Sequence, residues 1–343
     1  MRLVRFRDRE VPSAPPRLGV VLHEPTSDKL LPLDAIGLTG PSGDAVGRAD
    51  LAALLAADPG LAATAAALER ARASRGTLVE RRLTRTLAPL RPGKIVGVGL
   101  NYRDHVAEQK LAAPERPVLF AKFANTVIGD GAPVVRHRRT AALDLEAELA
   151  VVVGRTAVHV READASAFIA GYAAANDITA RDLQGMQGAL PAGGRGDGQW
   201  LRAKSSDGFC PLGPVFVSAG DLVDPSALTV RSWRTVPGPG SEPRVVPMQD
   251  GTTRDMIFGV EWLIAFVSEV ITLDPGDVIL TGTPAGVGVF RDPPVFLRPG
   301  DVATVEVEGI GRLSNPIVDT DGSTPEGSPA ARVLAGLRQD AYR

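Results

Sequence analysis

Glu146 and Glu148 are the residues whose type and spacing most strongly indicate chemistry in this sequence. They lie in an alternation of acidic and apolar residues that continues into the apolar run 149–153. Because side chains alternate across a β-strand, residues two apart project from the same face. Two adjacent carboxylates at the end of an apolar strand repel each other and are costly to bury. A bound cation removes that cost, so the spacing predicts a metal site.

A third carboxylate, Asp177, follows in the polar segment 176–182. Taken alone, it is equally a helix-cap or turn residue. With Glu146 and Glu148 it makes an all-oxygen ligand set. Such a set suits the hard ions Mg²⁺, Mn²⁺ and Ca²⁺ and does not suit zinc of the kind that thiolates bind. Asp144 shares the strand face with both glutamates, but a rise of about 3.3 Å per residue places it about 13 Å from Glu148. We therefore expect Asp144 to lie outside the ligand set.

His105 and Glu108 are the residues best suited to move a proton. If a helix begins at Arg103, the two are i,i+3 neighbours whose side chains can touch. A carboxylate that accepts the hydrogen of one imidazole nitrogen fixes the tautomer and leaves the other nitrogen free to act as a base. A His-x-x-Glu pair on a helix is also a common solvated surface pair. The pair therefore needs further residues around it before it indicates a site.

Two lysines and a glycine-rich loop can complete such a site. Lys122 and Lys204 lie among apolar residues. Such lysines usually extend their ammonium groups to solvent, but beside a metal they can hold a substrate carboxylate or stabilise a developing enolate. The loop 281–288 follows an apolar strand and offers backbone N–H groups and a hydroxyl to an anion. The same composition is also found in plain turns.

The pattern of elements changes near residue 90. Residues 1–90 alternate like strands at 2–6 and 19–22 and have helical spacing within 51–73, interrupted at 58–60. They predict a small, separate α/β domain. Cys210, the single cysteine, rules out an internal disulfide framework and is expected to be a small core residue.

From Lys94 onward, short β-branched segments alternate with Gly and Pro, and the best helix candidates are 162–172 and 253–270. The segment just before Asn176 is also expected to be helical. The pattern predicts an α+β fold that is mostly β, without a doubly wound sheet. We place a catalytic domain at 91–318 and a linker with a short helical tail at 319–343.

The composition is that of an ordinary globular protein. The chain has 343 residues, of which 44% are hydrophobic and 23% charged, and a net charge of −2. This balance gives no electrostatic reason to expect a nucleic-acid or anionic-membrane partner. The first ten residues have no apolar stretch of the kind found in secretory signals. We therefore expect a cytosolic protein that binds neither nucleic acid nor membrane.

Seven segments in one order resemble the fumarylacetoacetate hydrolase family, and most closely its smaller domain-containing members. The resemblance covers about residues 94–318 and rests on 98–102 with His105 and Glu108, 117–122, 144–149, 176–182, 204–214, 256–258 and 275–288. It implies a β-roll catalytic domain built from mixed sheets. It also implies a protein that is commonly a homodimer.

The resemblance implies a role for each acidic and basic residue named above. Glu146, Glu148 and Asp177 match the family's metal ligands, with Mg²⁺ or Mn²⁺ as the expected ion and Ca²⁺ as a substitute in crystals. Lys122 and Lys204 match cationic residues near the metal. The metal site therefore follows from both the residue types and the resemblance, whereas the place of the two lysines beside it is what the resemblance implies.

His105 with Glu108 matches the dyad that activates water, carried on a lid over the substrate. We expect the following residues to line the substrate pocket: Arg181, Gln184, Gly282 and Thr283. Departures from the family pattern cluster where the pocket rim is expected, at Thr252, Arg254, Leu183 and the glycine-rich insert 189–198. They concern the substrate pocket and leave the metal ligands unchanged.

These residues predict a metal-dependent enzyme that acts on a small 2-oxo or β-diketo acid. The main interpretation is hydrolysis of a C–C bond in an acylpyruvate-type acid, with His105 activating water. The alternative is a tautomerase, isomerase or decarboxylase of a 2-oxo acid such as oxaloacetate, because the same groups can move a proton without water. A non-catalytic binding protein is a minor third possibility.

Overall fold

The computed structural model describes residues 1–11, 13–23, 27–36, 50–73, 78–190, 196–238 and 242–339. Its fold is α+β and mostly β, as predicted. The strands are β1 (Arg2–Asp8), β2 (Arg17–Leu22), β3 (Lys29–Pro32), β4 (Val79–Glu80), β5 (Thr84–Leu87), β6 (Ile95–Gly99), β7 (Val118–Lys122), β8 (Val127–Ile128), β9 (Val134–Val135), β10 (Leu143–Asp144), β11 (Ala147–Val153), β12 (Ile169–Asn176), β13 (Thr179–Ala180), β14 (Cys210–Ser218), β15 (Thr229–Val236), β16 (Arg244–Thr252), β17 (Val278–Leu280), β18 (Val302–Val307) and β19 (Gly311–Val318). The helices are α1 (Leu51–Ala57), α2 (Ala62–Ala73), α3 (Arg103–Glu108), α4 (Arg181–Gln184), α5 (Trp200–Lys204), α6 (Val260–Ser268) and α7 (Pro329–Gln339).

Within the described residues the strands form three sheets. The largest runs in the order β4-β3-β2-β1-β14-β12-β11-β17-β6-β7, with β5 added to β1 and β8 added to β14. A second sheet has the order β16-β15-β18-β19-β9, and β10 pairs with β13 alone. Parallel and antiparallel pairs occur together, because β6 runs parallel to β17 while β11 and β12 are antiparallel. The sheets are therefore mixed, as expected.

The N-terminal strands belong to the largest sheet. β1 pairs with β14, with Leu3 opposite Phe216. Leu51 and Leu54 of α1 are buried in the same core cluster as Val152. The predicted break in the helical spacing at 58–60 is confirmed, because α1 ends at Ala57 and α2 begins at Ala62. The proposed domain division at residue 90 stays a prediction.

The prediction of a helix at 162–172 and just before Asn176 is wrong. A 3₁₀ helix at Glu162–Phe168 is followed by the strand β12. Alanine favours helix only weakly, and tertiary context overrides such a preference. Here β12 pairs with β11 on one side and β14 on the other, and a Cβ at Gly171 would lie 2.1 Å from the carbonyl oxygen of Val217. Small residues therefore serve close strand packing in this segment.

The predicted helix at 253–270 is shorter than expected. A 3₁₀ helix covers Thr253–Asp255, and α6 begins only after Gly259. In the described part of the chain no single helix is long and apolar enough to cross a membrane. Helix α1 and residues 62–71 of α2 together have the necessary length and composition, but the two are bent by 106° relative to each other.

Pairing between β11 and β12 brings the acidic residues together. Ala147 lies opposite Asn176, and the backbone N–H of Asp177 donates to the carbonyl oxygen of Glu146 at 2.9 Å. On the other edge of β11, the N–H of Thr281 donates to the carbonyl oxygen of Leu149. The central strand β11 therefore places its first residues between the end of β12 and the loop that follows β17.

Candidate active site

Glu146, Glu148 and Asp177 form a buried carboxylate cluster. One oxygen from each lies within 4.8 Å of the others, and the three side chains belong to residues that are 5%, 1% and 0% exposed. In the described residues this is the one group of three or more His, Cys, Asp or Glu side chains so arranged. Three carboxylates offer hard oxygen donors, the kind that Mg²⁺, Mn²⁺ and Ca²⁺ prefer. The cluster can therefore hold a divalent ion.

Asp144 lies outside this cluster. Its carboxylate accepts hydrogen bonds from Nε of Arg181 (2.9 Å) and from the backbone N–H groups of Gly288 (2.8 Å) and Val289 (3.1 Å). It therefore fixes the arginine and the turn after the glycine-rich loop.

Lys122 and Lys204 point into the cluster, and both are 2% exposed. Nζ of Lys122 donates to Asp177 at 2.6 Å, and Nζ of Lys204 donates to Glu146 at 2.8 Å and also to Asp177. The Lys204 ammonium lies 4.6 Å from the centroid of the Phe120 ring. Neither lysine extends to solvent, so the alternative of two surface lysines is wrong.

The two glutamates of the cluster have opposite electrostatic surroundings. Burial alone would raise the pKa of Glu146, but Arg181 and Lys204 outweigh it and hold that pKa well below the ordinary range. Burial, and then repulsion from Asp177 and Glu146, raises the pKa of Glu148 well above the ordinary range.

Glu148 accepts a hydrogen bond from the backbone N–H of Gly282 at 2.8 Å, and no basic side chain in the described chain forms an ion pair with it. A bound cation would supply the missing positive charge, so the donor set and its charge fit a divalent ion.

Arg181 connects the cluster to Asp144. Its NH2 group donates to Glu146 at 2.6 Å, and its NH1 group donates to Oε1 of Gln184 at 3.1 Å. Burial lowers the pKa of Arg181, but Glu146 and Asp144 outweigh this and raise it. The guanidinium is therefore held rigidly at the cavity wall.

The dyad lies on α3, where the sequence predicts it. Nδ1 of His105 lies 2.6 Å from Oε1 of Glu108. The other oxygen of Glu108 accepts a hydrogen bond from the backbone N–H of Gly286 at 2.9 Å, and Asp104 accepts one from Ala285 at 3.1 Å. The His105 ring contacts the Phe290 ring edge-on. These contacts fasten α3 to the glycine-rich loop.

Thr283 and Gly282 stabilise the site through the backbone. The Thr283 hydroxyl donates to the carbonyl oxygen of Ala147 at 2.9 Å and accepts from Nε2 of Gln249 at 2.7 Å. Gly282 has a φ of +93°, and a Cβ there would lie 3.0 Å from the carbonyl oxygen of Val98. Its conformation lets its N–H reach Glu148. The hydroxyl hydrogen of Thr283 is thus donated to the backbone. Only a lone pair on the hydroxyl oxygen remains for a substrate.

Glu146 and Glu148 of the cluster and His105 of the dyad line one cavity of about 190 Å³. Its polar side includes Glu146, Glu148, Arg181, Gln184, Lys204, Thr283 and His105, and its apolar side includes Val98, Leu111, Phe120, Trp200 and Phe290. The cavity is smaller than the roughly 300–1,000 Å³ of pockets that take drug-sized ligands. It suits a small polar molecule.

A sequence profile described as fumarylacetoacetate (FAA) hydrolase C-terminal matches residues 94–318. The chain belongs to the fumarylacetoacetate hydrolase family. It is 43% identical over 257 residues to a human protein named oxaloacetate tautomerase FAHD2A, mitochondrial, covering 75% of this chain and 76% of that protein. It is 38% identical over 319 residues to oxaloacetate tautomerase fahd2, mitochondrial, of Xenopus laevis, covering 93% and 90%. The crystal structure of a 5-carboxymethyl-2-hydroxymuconate delta-isomerase from Mycobacterium smegmatis matches with a TM-score of 0.66 and 31% identity, covering 93% of this chain and 100% of that one.

The departures from the family pattern lie elsewhere than expected. Among the described residues, the cavity lining includes neither Thr252, Arg254 nor Leu183. Leu183 packs in an apolar cluster with Phe209 instead. Met186 and Trp200, on either side of the glycine-rich insert, do line the cavity, and residues 191–195 of that insert lie outside the described residues.

Sequence reasoning missed two glutamines in this family member. Gln109 contacts His105, with 2.9 Å between their Nε2 atoms, and its i,i+4 spacing on α3 was a readable signal. Gln249 bridges Thr283 to the backbone N–H of Ala147. It comes from β16, about a hundred residues along the chain, and no local pattern indicates that contact.

Proposed function

We propose that this protein is a divalent-metal-dependent enzyme that interconverts the enol and keto forms of a small 2-oxo acid such as oxaloacetate. The observation that carries the proposal is the buried carboxylate cluster, which opens into the same small cavity as His105 and Lys204. The names of the human and Xenopus relatives support the substrate class.

We assign the ion to Glu146, Glu148 and Asp177 and expect it to be Mg²⁺ or Mn²⁺. When bound, such an ion supplies Lewis-acid polarisation of a carboxylate and the adjacent 2-oxo group. The cations of this chain have a separate task. Burial lowers the pKa of Lys204, but Asp177 and Glu146 outweigh this effect and raise that pKa. Lys204 therefore stays an ammonium group and offsets negative charge that develops on the substrate oxygen.

His105 is the proposed proton carrier. Glu108 accepts the hydrogen on Nδ1, so Nε2 carries the lone pair toward the cavity. In the enol-to-keto direction the enol hydroxyl loses a proton and C3 gains one, which requires no water. We propose that Arg181 and Gln184 orient the substrate's far carboxylate and that Lys122 keeps Asp177 in place.

Hydrolysis of a C–C bond is the second candidate, because the dyad that would activate water is intact. In acetylpyruvate, the water oxygen would bond to C4, the C3–C4 bond would break, and C3 would take up a proton to give acetate and pyruvate. The names of the relatives favour the tautomerase over this main prediction from the sequence.

A time course separates the two reactions. Enol-form oxaloacetate and acetylpyruvate are each mixed with the Mg²⁺-loaded protein, and ¹H NMR follows keto formation or acetate. We expect faster enol-to-keto conversion, reduced about 10²- to 10⁴-fold in His105→Ala, the range for a general acid–base group. Conversion no faster than with Mg²⁺ alone would contradict the proposal. Acetate formation by the wild type would restore the hydrolase.

We also propose a homodimer in the cytosol, with domains at 1–90 and 91–318 and a tail at 319–343. The resemblance to a family that is commonly dimeric supports the homodimer. The buried single cysteine, Cys210, fits a reducing compartment. The human and Xenopus relatives carry the word mitochondrial in their own names. Light scattering of the purified protein tests the dimer.

A further inference from the structure

Both ring nitrogens of His105 have a partner in this structure. Nδ1 lies 2.6 Å from a carboxylate oxygen of Glu108, and Nε2 lies 2.9 Å from the amide nitrogen of Gln109. A carboxylate accepts, so the imidazole hydrogen is on Nδ1. The lone pair on Nε2 then accepts a hydrogen bond from the Gln109 amide. The nitrogen that must act as the base is therefore already occupied by a side chain.

The end of α3 fixes Gln109 in this place. Gln109 is one helical turn after His105 and directly follows the last residue of α3, with helical φ and ψ of −81° and −6°. The N–H of Lys110 donates to Ala107, and the N–H of Leu111 donates to Val106. The Gln109 backbone is thus held on both sides, and its side chain lines the same cavity as His105.

The Gln109 amide occupies the place that a water activated by His105 would need. A water that His105 activates must donate a hydrogen to Nε2 from about 3 Å, which is where the Gln109 amide nitrogen lies. It must do so while a substrate fills the rest of a cavity of about 190 Å³. A direct proton transfer has no such need, because the substrate itself can replace the amide at Nε2.

We infer that Gln109 determines reaction specificity by occupying the site of the attacking water at Nε2 of His105. The inference rests on the proposed function, since it explains why the dyad would transfer protons with a 2-oxo acid directly and not hydrolyse it. Gln109 acts through His105 and the space beside it. It is a positioning residue.

Three variants separate the effect of the side-chain volume of Gln109 from the effect of its hydrogen bond. Gln109→Ala removes the amide and opens room for a water, whereas Gln109→Leu removes the amide and keeps most of the side-chain volume. Gln199→Ala is the control, because it removes an exposed glutamine at the start of α5. Acetate release from acetylpyruvate is measured with Mg²⁺ present. We expect at least a tenfold gain in Gln109→Ala and no such gain in Gln109→Leu or Gln199→Ala. No gain in Gln109→Ala, or an equal gain in Gln109→Leu, overturns the inference.

A second readout needs neither metal nor turnover. The chain has four histidines, so ¹H–¹⁵N spectra of the metal-free protein can resolve the His105 ring. We expect its Nδ1–H tautomer in all variants and a changed Nε2 signal in Gln109→Ala and Gln109→Leu. An unchanged Nε2 signal shows that the contact is absent and refutes the inference. Wild-type protein without tautomerase activity refutes only the proposed function, because the acetate gain and the Nε2 signal are measured independently of it.

Discussion

Replacing Glu148 by glutamine should stabilise the metal-free protein and remove most of its response to metal. Glu148 is buried beside Asp177 and Glu146, and burial followed by their repulsion raises its pKa. A glutamine keeps an oxygen for the N–H of Gly282 but carries no charge. The same change removes one of three carboxylates from the proposed ion site. The two effects have opposite signs, and one thermal scan series measures both.

The metal effect can be estimated. An unfolding entropy of about 2.1 cal/mol/K per residue, over 343 residues, gives about 0.7 kcal/mol/K, so each kcal/mol moves Tm by about 1.4 °C. An ion at a hundred times its Kd contributes about 2.7 kcal/mol, or about 4 °C. If the variant binds about 100-fold more weakly, the same ion concentration equals its Kd and contributes about 0.4 kcal/mol, or about 0.6 °C.

The pH effect follows from the raised pKa of Glu148. Because the folded state holds this proton more tightly than the unfolded chain, the contribution to stability is complete below the ordinary carboxyl pKa of 4.5 and is lost as pH rises through the folded pKa. With a chelator present, the wild type should lose stability relative to Glu148→Gln as the pH rises above the ordinary carboxyl pKa of 4.5. The variant should therefore be the more stable protein once the pH exceeds the folded pKa of Glu148.

The assay is differential scanning fluorimetry with a chelator or with Mg²⁺ or Mn²⁺ at several pH values. Glu269→Gln is the matched control, because it removes one negative charge from an exposed site at the end of α6. It should keep the full metal shift and show no special pH trend. A Glu148→Gln protein that keeps a metal shift of about 4 °C would refute the ligand assignment. One that loses stability with pH just as the wild type does would refute the electrostatic reasoning.

Two further substitutions test the groups around the cluster. Lys204→Met should lower kcat at least about 100-fold. The Mn²⁺ affinity measured by calorimetry should not fall, because an ammonium group beside Glu146 and Asp177 opposes the binding of a second cation. An unchanged kcat would remove Lys204 from the mechanism. Asp144→Asn should raise KM about tenfold or more and change kcat less, because it weakens a hydrogen bond of about 1.5–3 kcal/mol to the charged Arg181. Steady-state kinetics with an unchanged KM would show that Arg181 does not need Asp144 to hold it in place.

The acidic cluster was readable from the sequence because strand geometry is local. Alternation put Glu146 and Glu148 on one face, and the estimate of about 13 Å kept Asp144 away from them. The structure agrees on both points: Glu146 and Glu148 lie in one carboxylate cluster, and Asp144 pairs with Arg181 and contacts the backbone of Gly288 instead. The i,i+3 spacing of His105 and Glu108 is equally local, and their side chains touch.

The strand β12 and the direction of the lysines were not readable in this way. β12 contains four alanines and a glycine, a composition that favours no strand, and its state is set by hydrogen bonds to β11 and β14 on both sides. Lys122 and Lys204 occur among apolar residues, where solvent exposure is the usual outcome. Both turn inward because Asp177 offers each of them a buried charge, a fact that depends on pairings far apart in the chain.

The charges of the site explain why an ion and an anionic substrate should bind together. Four carboxylates, those of Asp144, Glu146, Glu148 and Asp177, face three cations, those of Arg181, Lys122 and Lys204. Because the pKa of Glu148 is raised, the metal-free cluster approaches neutrality by keeping a proton there. A divalent ion held by these carboxylates would displace that proton and would leave an excess positive charge in a buried cavity. Only an anion can neutralise that charge at low cost. The carboxylate of a 2-oxo acid is such an anion. An ion and a substrate bound in this way would strengthen each other's binding by the same factor, and under the proposed function the reaction would depend on which group reaches Nε2 of His105.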